Sequence, residues 1–588
     1  MTATIGISYG FHDSACALVA EGKLLCAITE ESFTRIKHDN NFPNLALRHL
    51  LQIVSNYQLT LTNIVFFEDP TLKEHRNRLL FNQTKIQFSK FVIKSQIIEF
   101  LSHFITTTKI QVSFKSHHLS HISGSFGLSG FPNAIGLVVD AVGEYECISI
   151  WKCLKPSFTE PANYSKLYSE NIPYSLGLMY SMFTKYIGFE VNEGEYKLMG
   201  LSAYGQQNKK LFEFLESWYS RKINPNYFGD LYESIPSDSL ELLLGVPPQQ
   251  GLKWISDSSQ FFFDADVYGL EYAYKNSPPS TNATKLLDVA FTIQLFIERT
   301  LLSLISKYSS TNDNICFSGG VALNSKLNQK LIENGYNLFV PPSPTDAGSA
   351  IGAALLSLPL DSDDPLFYSP YIAYNVSSKE AELIATYASN KLNFFVQEFP
   401  NNEEYLQSAA IDLHDNLVIA WCRGKAEWGP RALGSRSILA NPTDYTMKEI
   451  INKKIKFREP YRPFAPSVTQ HKASEYFDIQ GRLDISSPYS YMLSTCSVKQ
   501  EYKNRLRAIT HVDGTARIQA VWEETNPDYF NLLKAYGSYS GLEVLVNTSC
   551  NISGEPTIST GIDALRTFML SGLDALYIEN YVIRKDYK

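Results

Sequence analysis

Two stretches decide the fold class: ICFSGGVALN at residues 315–324 and LFVPPSPTDAGSAIGAA at residues 338–354. Each begins with an apolar run short enough for a buried strand and then continues into residues suited to a turn and a helix. Before them, apolar residues recur at helical spacing over residues 285–305. Alternating strands and helices predict an α/β core, whose ligands gather beyond the carboxyl ends of the strands.

The N-terminal part of the chain repeats one pattern. Residues 4–8, 15–20 and 23–28 predict three strands, with a polar turn after the first of them. Residues 134–140 and 147–151 repeat the order of strand, polar turn and strand. This recurrence predicts an internal duplication.

Length and composition favour an ordinary globular protein of two domains. The chain has 588 residues, of which 44% are hydrophobic and 19% charged. Pro359, Pro365 and Pro370 surround an acidic stretch that is typical of a linker. We therefore expect one domain over residues 1–363 and a second over residues 364–588.

The N-terminus and the cysteines favour a cytoplasmic protein without a membrane partner. The chain starts with neither a basic region nor a long apolar stretch, so we expect no signal peptide or transmembrane span. Its eight cysteines contain no CxxC pair, and a reducing compartment suits them.

Charge points to a small anionic ligand rather than to nucleic acid. The net charge is −8, which opposes electrostatic binding of a long polyanion by the protein surface as a whole. Residues 421–470 nevertheless hold ten Lys or Arg and four Asp or Glu, a local excess of six positive charges. Such an island suits a compact phosphate-bearing ligand.

Four residues form a candidate metal site. His117 and His121 are four residues apart, so on a helix their imidazoles share one face. Asp140 ends a predicted strand, and Asp346 begins a predicted helix. If the fold brings them together, two His and two Asp suit iron, manganese or zinc. Surface or capping histidines are the alternative interpretation.

Three predicted turns hold further candidates, each with a purely structural alternative. His12 can act as a general base or cap the first turn. Gly319 and Gly320, followed by Asn324, let backbone approach a ligand at a helix start. Lys197 lies between turn glycines and is either a ligand group or part of a solvated loop.

The densest group of candidates lies in the C-terminal third. Its basic residues are flanked by Pro, Gly and aromatic residues that fix the backbone, which favours phosphate binding over a solvated helix face. Asn547 and Ser549 are predicted to lie in a turn after a strand at residues 543–546. The candidates for binding phosphate groups are Arg431, Lys456, Arg458, Arg462, Arg517, Asn547 and Ser549.

Six motifs together resemble the NodU/CmcH family of O-carbamoyltransferases over nearly the whole chain. They are His12-Asp13-Ser14, His117-His118-x-x-His121, Gly194-Glu195-Tyr196-Lys197-Leu198-Met199-Gly200-Leu201, Gly429-Pro430-Arg431-Ala432-Leu433-Gly434, Arg462-Pro463-Phe464-Ala465-Pro466 and Asn547-Thr548-Ser549. Two positions depart from the family pattern, since Cys550 stands where Phe is usual and Lys425 where Arg is common.

The resemblance implies a duplicated actin/sugar-kinase-like (TsaD-like) N-terminal domain and a YrdC-like α/β C-terminal domain. The latter would join carbamoyl phosphate and ATP to carbamoyl adenylate and pyrophosphate, and Mg²⁺ would help to neutralise the phosphates. The former would transfer the carbamoyl group to a hydroxyl of a small acceptor and release AMP.

The resemblance also assigns roles to residues. By it, His12 is the base at the transfer site. Carbamoyl phosphate would be held by Arg431, Lys456 and Arg462. Fe²⁺, or another divalent transition metal, would be bound by His117, His121, Asp140 and Asp346.

Two other functions stay open at this stage. TsaD and YrdC proteins also serve tRNA threonylcarbamoylation, although the acidic net charge opposes RNA binding. A nucleotide- and metal-binding regulatory module without turnover is the third possibility. Under the leading hypothesis, acceptor-binding loops are expected in the irregular stretch of residues 208–264.

Overall fold

The computed structural model describes residues 1–81, 89–105, 110–155, 161–220, 237–357, 369–459 and 461–585. The predicted domain boundary near residue 363 lies outside these residues. All eight cysteines are buried and free. No helix in the described part of the chain combines the length and apolarity needed to cross a bilayer.

The first sheet belongs to the first repeat. Its strands are β1 (Thr2–Ser8), β2 (Ala15–Ala20), β3 (Lys23–Thr29), β4 (Thr60–Phe66) and β5 (Gln111–Phe114). Their order is β3-β2-β1-β4-β5, with β2 antiparallel to both neighbours and β1, β4 and β5 parallel. The helices of this repeat are α1 (Glu31–Thr34), α2 (Asn44–Asn56), α3 (Pro70–Phe81), α4 (Lys90–Ser102) and α5 (His117–Leu128).

The second sheet repeats this topology. Its strands are β6 (Asn133–Val139), β7 (Glu146–Leu154), β8 (Asn163–Asn171), β9 (Asn314–Ser318) and β10 (Asn337–Phe339). Their order is β8-β7-β6-β9-β10. As in the first sheet, the second strand of the repeat, here β7, is antiparallel to both neighbours, and β6, β9 and β10 are parallel. The predicted duplication is therefore confirmed strand by strand.

The helices of the second repeat include a long insertion after β8. They are α6 (Leu176–Tyr186), α7 (Glu195–Leu201), α8 (Lys209–Tyr219), α9 (Ser237–Leu244), α10 (Lys253–Asp257), α11 (Ser259–Tyr268), α12 (Leu270–Asn276), α13 (Thr281–Ile305), α14 (Ser325–Glu333) and α15 (Asp346–Leu355). The expectation of an irregular stretch over residues 208–264 was wrong for its described part, which is largely helical. In α8, for example, Leu211, Leu215 and Trp218 recur at helical spacing and are buried.

Helices α5 and α15 occupy equivalent places in the two repeats and pack closely together. A Cβ on Gly352 would lie 1.8 Å from the carbonyl oxygen of Ser120, and one on Gly6 would lie 1.8 Å from that of Ala350. The small residues of α15 therefore allow its backbone to contact both α5 and β1. The N-termini of α5 and α15 consequently meet between the sheets.

The C-terminal part is built around an eight-stranded mixed sheet and is α/β, as predicted. In spatial order its strands are β12 (Phe395–Glu398), β23 (Tyr581–Arg584), β22 (Ala575–Ile578), β13 (Ile419–Cys422), β15 (Arg436–Ala440), β21 (Val544–Ser549), β16 (Ala465–Thr469) and β20 (Gln519–Val521). Smaller sheets pair β11 (Tyr371–Asn375) with β14 (Lys425–Glu427), and β18 (Cys496–Val498) with β17 (Phe477–Asp478) and β19 (Thr515–Ala516). The helices are α16 (Ser378–Leu392), α17 (Asn402–His414), α18 (Met447–Ile451), α19 (Gln470–Tyr476), α20 (Pro527–Ser540) and α21 (Gly561–Leu570).

Asn547 and Ser549 lie inside β21, and the prediction of a turn there was wrong. This strand pairs with β15 on one side and β16 on the other. Polar side chains are accommodated because they find partners in the sheet: Asn547 Nδ2 donates to Ser467 Oγ at 2.9 Å. Short 3-10 or π turns lie at Ser202–Tyr204, Gly320–Leu323, Asn452–Lys456 and Pro488–Tyr491.

Candidate active site

Four buried side chains from both repeats converge at the meeting point of α5 and α15. His117 Nε2 lies 3.1 Å from Asp140 Oδ2 and 3.4 Å from Asp346 Oδ1. His121 Nε2 lies 3.3 Å from each of the same two carboxylates and 3.1 Å from His117 Nε2. The fold thus brings together the four residues whose sequence positions are far apart.

The local structure explains this convergence. His117 and His121 lie one turn apart on α5, and Asp346 is the first residue of α15. Asp140 directly follows β6, where Gly320 N–H and Ala141 N–H donate to its Oδ1 at 3.3 and 2.8 Å.

The donor set fits a divalent cation. Ligands about 2.0–2.2 Å from a metal are roughly 3–3.5 Å from one another in tetrahedral or octahedral geometry. The distances from each imidazole nitrogen to the other and to both carboxylates have this spacing. Without a cation, burial lowers the pKa of His117, but the Asp346 charge and the Asp140 hydrogen bond outweigh it and hold the pKa well above its ordinary value. A cation bound here would supply the positive charge that the two carboxylates require.

Outer contacts orient the two imidazoles. His121 Nδ1 lies 3.3 Å from Ser318 Oγ, and His117 Nδ1 lies 3.7 Å from Glu68 Oε2. Glu68 is paired with the buried Lys73 at 2.6 Å. Neither Glu68 nor Lys73 was predicted from the sequence. Glu68 comes two residues after the apolar strand β4, and a carboxylate shortly after a buried strand is the signal that could have found it.

Gly319 and Gly320 lie against the Asp140 turn. Gly319 has φ 90°, and a Cβ there would lie 2.2 Å from the carbonyl oxygen of Val139. A Cβ on Gly320 would lie 3.2 Å from Asp140 Oδ1. The two glycines therefore allow their backbone to lie close to Asp140, one of the four residues of the candidate metal site.

His12 lies within electrostatic range of these carboxylates. Its Nδ1 is 3.1 Å from Asp13 Oδ2. Burial lowers the pKa of His12, but the Asp13 hydrogen bond and the charges of Asp346 and Asp140 raise it overall to about 9. Its imidazole is thus tethered through one nitrogen beside the candidate metal site.

Guanidinium groups converge in the C-terminal part. Burial, and then the charges of Arg431, Arg458 and Arg462, hold the pKa of Arg517 well below its ordinary value. Burial, with the charge of Arg462, likewise lowers the pKa of Arg458 to about 9. These four arginines form what we call the arginine cluster.

Three members of the arginine cluster lack a carboxylate partner among the described residues. Arg431 and Arg517 each have a buried Nε without a hydrogen-bond acceptor there, and Arg458 has such an Nη2. Arg462 instead contacts Glu459 at 3.1 Å. Partly buried like charges without carboxylate partners are costly, so the arrangement is suited to a ligand that carries several negative charges.

The remaining candidates have structural partners. Lys456 is buried and donates to Asn551 Oδ1 at 2.7 Å and to Ser549 Oγ at 3.3 Å. Asn547 holds the loop before β15 through a 3.1 Å hydrogen bond to the carbonyl oxygen of Ala432. Asn324 caps α14 by accepting from Leu327 N–H at 3.0 Å, away from the two groups described above.

Helix α7 joins the arginine cluster to the N-terminal part. Arg462 Nη2 donates to Tyr196 OH at 3.1 Å and its guanidinium lies 4.9 Å from the Tyr196 ring centroid. Lys197 Nζ lies 3.2 Å from Glu459 Oε1. The predicted candidate Lys197 therefore belongs to the edge of the arginine cluster.

The loop that carries Arg431 also contacts the candidate metal site's surroundings. Gly429 has φ 113°, and a Cβ there would lie 2.4 Å from the carbonyl oxygen of Pro342, shortly before Asp346. Trp428 and His121 line one small cavity. One loop thus connects the two groups of side chains.

Two family models and several relatives match most of the chain. The models for the carbamoyltransferase N-terminus and C-terminus match residues 3–355 and 410–585. An uncharacterized protein of Synechocystis sp. is 34% identical, over 100% of this chain and 97% of its own. The nodulation protein NolNO of Sinorhizobium fredii is 30% identical, over 98% of this chain and 79% of its own. The solved structure of T. kodakarensis HypF aligns over 60% of this chain and 48% of its own, with 14% identity and a TM-score of 0.30.

Proposed function

The chain belongs to the carbamoyltransferase family, and from this premise we propose that it catalyses two successive half-reactions. In the first, water cleaves carbamoyl phosphate to carbamate and inorganic phosphate, and a carbamate oxygen attacks the α-phosphorus of ATP to give carbamoyl adenylate and pyrophosphate. In the second, a hydroxyl of a small acceptor attacks the carbamoyl carbon and AMP leaves. The half-reactions would divide between the predicted domains, residues 364–588 and 1–363 respectively.

The arginine cluster is the observation that carries this proposal. Carbamoyl phosphate and ATP are both polyanions, and bringing them together requires fixed positive charge. The guanidinium groups of Arg431, Arg458 and Arg517, which have no carboxylate partner among the described residues, would supply it, together with Mg²⁺ bound to ATP. Each charged hydrogen bond to phosphate contributes about 1.5–3 kcal/mol, so the loss of one arginine should matter at least tenfold.

The second half-reaction is assigned to the group around His12. A hydroxyl is a weak nucleophile at neutral pH, and an imidazole that accepts its proton through Nε2 overcomes this. The cation, ferrous iron or another divalent transition metal, would be held by His117, His121, Asp140 and Asp346 and would polarise the carbamoyl carbonyl. Since Asp13 contacts Nδ1 of His12, the other ring nitrogen is the one left for the acceptor.

An internal route between the groups would protect the adenylate from water. Carbamoyl adenylate is a reactive mixed anhydride, and exclusion of water limits its hydrolysis. The Gly429 loop and helix α7 supply walls for such a route, because each contacts residues of both parts. Acceptors would enter from the N-terminal part.

Measuring pyrophosphate release with carbamoyl phosphate and Mg-ATP tests the assignment. We expect Arg462→Ala to abolish pyrophosphate release and His12→Asn to preserve it. The matched control is Arg507→Ala, which removes an exposed guanidinium whose Nη2 donates to Asn504 Oδ1 at 3.4 Å. Normal release by Arg462→Ala would contradict the assignment.

The same preparation separates the two alternative functions. A tRNA-modifying enzyme would shift the mobility of tRNA at 150 mM salt, whereas we expect no shift. A regulatory module would bind ATP in calorimetry but release no pyrophosphate from any carbamoyl phosphate mixture.

A further inference from the structure

A second histidine, His38, shares the carboxylate that holds His12. Asp13 Oδ1 accepts from His38 Nδ1 at 2.6 Å, while Asp13 Oδ2 lies 3.1 Å from His12 Nδ1. On its far side, His38 Nε2 lies 3.3 Å from Glu193 Oε1. Both ring nitrogens of His38 thus face carboxylates, an arrangement that favours donation by both nitrogens and therefore an imidazolium.

The backbone around these residues is fixed. The His12 turn is joined to the segment after His38 by hydrogen bonds from Ser14 N–H to the carbonyl oxygen of Asp39 at 2.7 Å and from Gly10 N–H to that of Asn40 at 3.1 Å. The His38 N–H donates to Glu31 Oε2 at 2.9 Å.

Asp13 and His38 also have unusual backbone conformations. Their φ angles are 52° and 55°, in the left-handed region that side chains other than glycine rarely adopt. Such conformations persist where surrounding contacts impose them and are concentrated at functional sites. Here they place the two side chains face to face.

We propose that His38 is a positioning residue for carbamoyl transfer, which together with Asp13 holds His12 with Nδ1 protonated and Nε2 free for the acceptor hydroxyl. This inference rests on the proposed role of His12 as the base. The Asp13 carboxylate cannot rotate without losing one of its two contacts, because each of its oxygens contacts a different imidazole. Glu193 anchors the far end and is itself paired with Lys37 at 2.5 Å.

The charge of His38 has a second effect on His12. The charged groups that face His12 are Asp13, Asp140 and Asp346. Those around His38 are Asp13, Glu31 and Glu193, with Lys37 beyond Glu193. The Asp13 and Glu193 hydrogen bonds raise the pKa of His38 to about 10, so it is a cation at neutral pH. It therefore offsets part of the Asp13 charge and keeps His12 easier to deprotonate than Asp13 alone would allow.

Nitrogen NMR of the zinc-loaded full chain, labelled with ¹⁵N-histidine, tests this directly. His12 signals are assigned by their loss in His12→Asn. We expect His38→Gln to raise the midpoint of the His12 titration by about 0.5–1 pH unit, because it removes the cation but retains a donor to Asp13. His38→Ala should produce the same rise and also reduce the fraction of His12 protonated at Nδ1.

The control is His471→Gln, which removes another partly exposed histidine paired with a carboxylate, Glu543 at 3.1 Å. It should leave His12 unchanged, and pyrophosphate release by every variant reports that the chain is folded. An unchanged His12 midpoint and tautomer in both His38 variants would overturn the inference. Absence of pyrophosphate release from the wild type would instead overturn the proposed function. The NMR measurement would still test whether His38 sets the His12 midpoint and tautomer.

Discussion

Replacing Arg431 with Met should make the ligand-free protein more stable while it removes adenylate formation. Burial lowers the pKa of the Arg431 guanidinium from 12.5 to about 10, yet the group stays charged at neutral pH. Each pH unit corresponds to about 1.4 kcal/mol, so the charged group costs at most ~3.5 kcal/mol in the folded protein. Since the residue is partly exposed, solvent screening reduces the expected gain to about 1–2 kcal/mol.

Methionine suits this test because it keeps an unbranched, flexible side chain that can pack in an irregular space, and it removes the charge. A gain of this size should raise the midpoint of thermal unfolding by a few degrees. Carbamoyl phosphate should further stabilise the wild type but not Arg431→Met. Arg507→Met, on an exposed arginine, should change neither unfolding nor pyrophosphate release. A lower midpoint for Arg431→Met, or normal pyrophosphate release, would refute the reasoning.

Three further predictions follow from the described contacts. His121→Ala should bind less than one equivalent of metal per chain by elemental analysis, whereas His471→Gln should keep a full equivalent; retention by His121→Ala would count against the metal site. Gly352→Ala should destabilise the protein by about 1–3 kcal/mol in denaturant unfolding, because its Cβ would lie 1.8 Å from the carbonyl oxygen of Ser120. The control Gly200→Ala should be neutral, because the nearest atom to its Cβ would be 3.6 Å away. In the metal-free protein the pKa of His12 is about 9, so protonated His12 stabilises the fold fully below its unfolded pKa near 6.5, and this contribution is lost as the pH rises through 9. The difference in free energy of unfolding between wild type and His12→Asn should therefore shrink from about pH 6.5 to about pH 9. A difference independent of pH would contradict this prediction.

The sequence predicted the architecture of the N-terminal part because its signals are local. Strand-length apolar runs followed by small residues mark β9 and β10, and the hairpin pattern recurs in both repeats. The motif resemblance also predicted the family and the enzyme class, and both family models confirm them. The ligand roles of individual residues remain predictions.

Other features depend on contacts that a local pattern cannot reveal. His38 and Glu193 lie in different repeats, and the sequence around each residue holds no pattern that predicts their contact. The count of basic residues could not separate Arg431 from Arg436, whose fully buried guanidinium donates to backbone carbonyls such as those of Ser559 and Gly424. Burial and these hydrogen bonds make Arg436 a structural residue, whereas the Nε of Arg431 has no hydrogen-bond acceptor among the described residues.

Isotope exchange between labelled pyrophosphate and ATP tests the central claim most directly, because it requires a reversible adenylate and no acceptor. We predict exchange that depends strictly on carbamoyl phosphate, persists in His12→Asn and disappears in Arg431→Met. Exchange without carbamoyl phosphate, or none at all from the metal-loaded wild type, would contradict an adenylate formed at the arginine cluster.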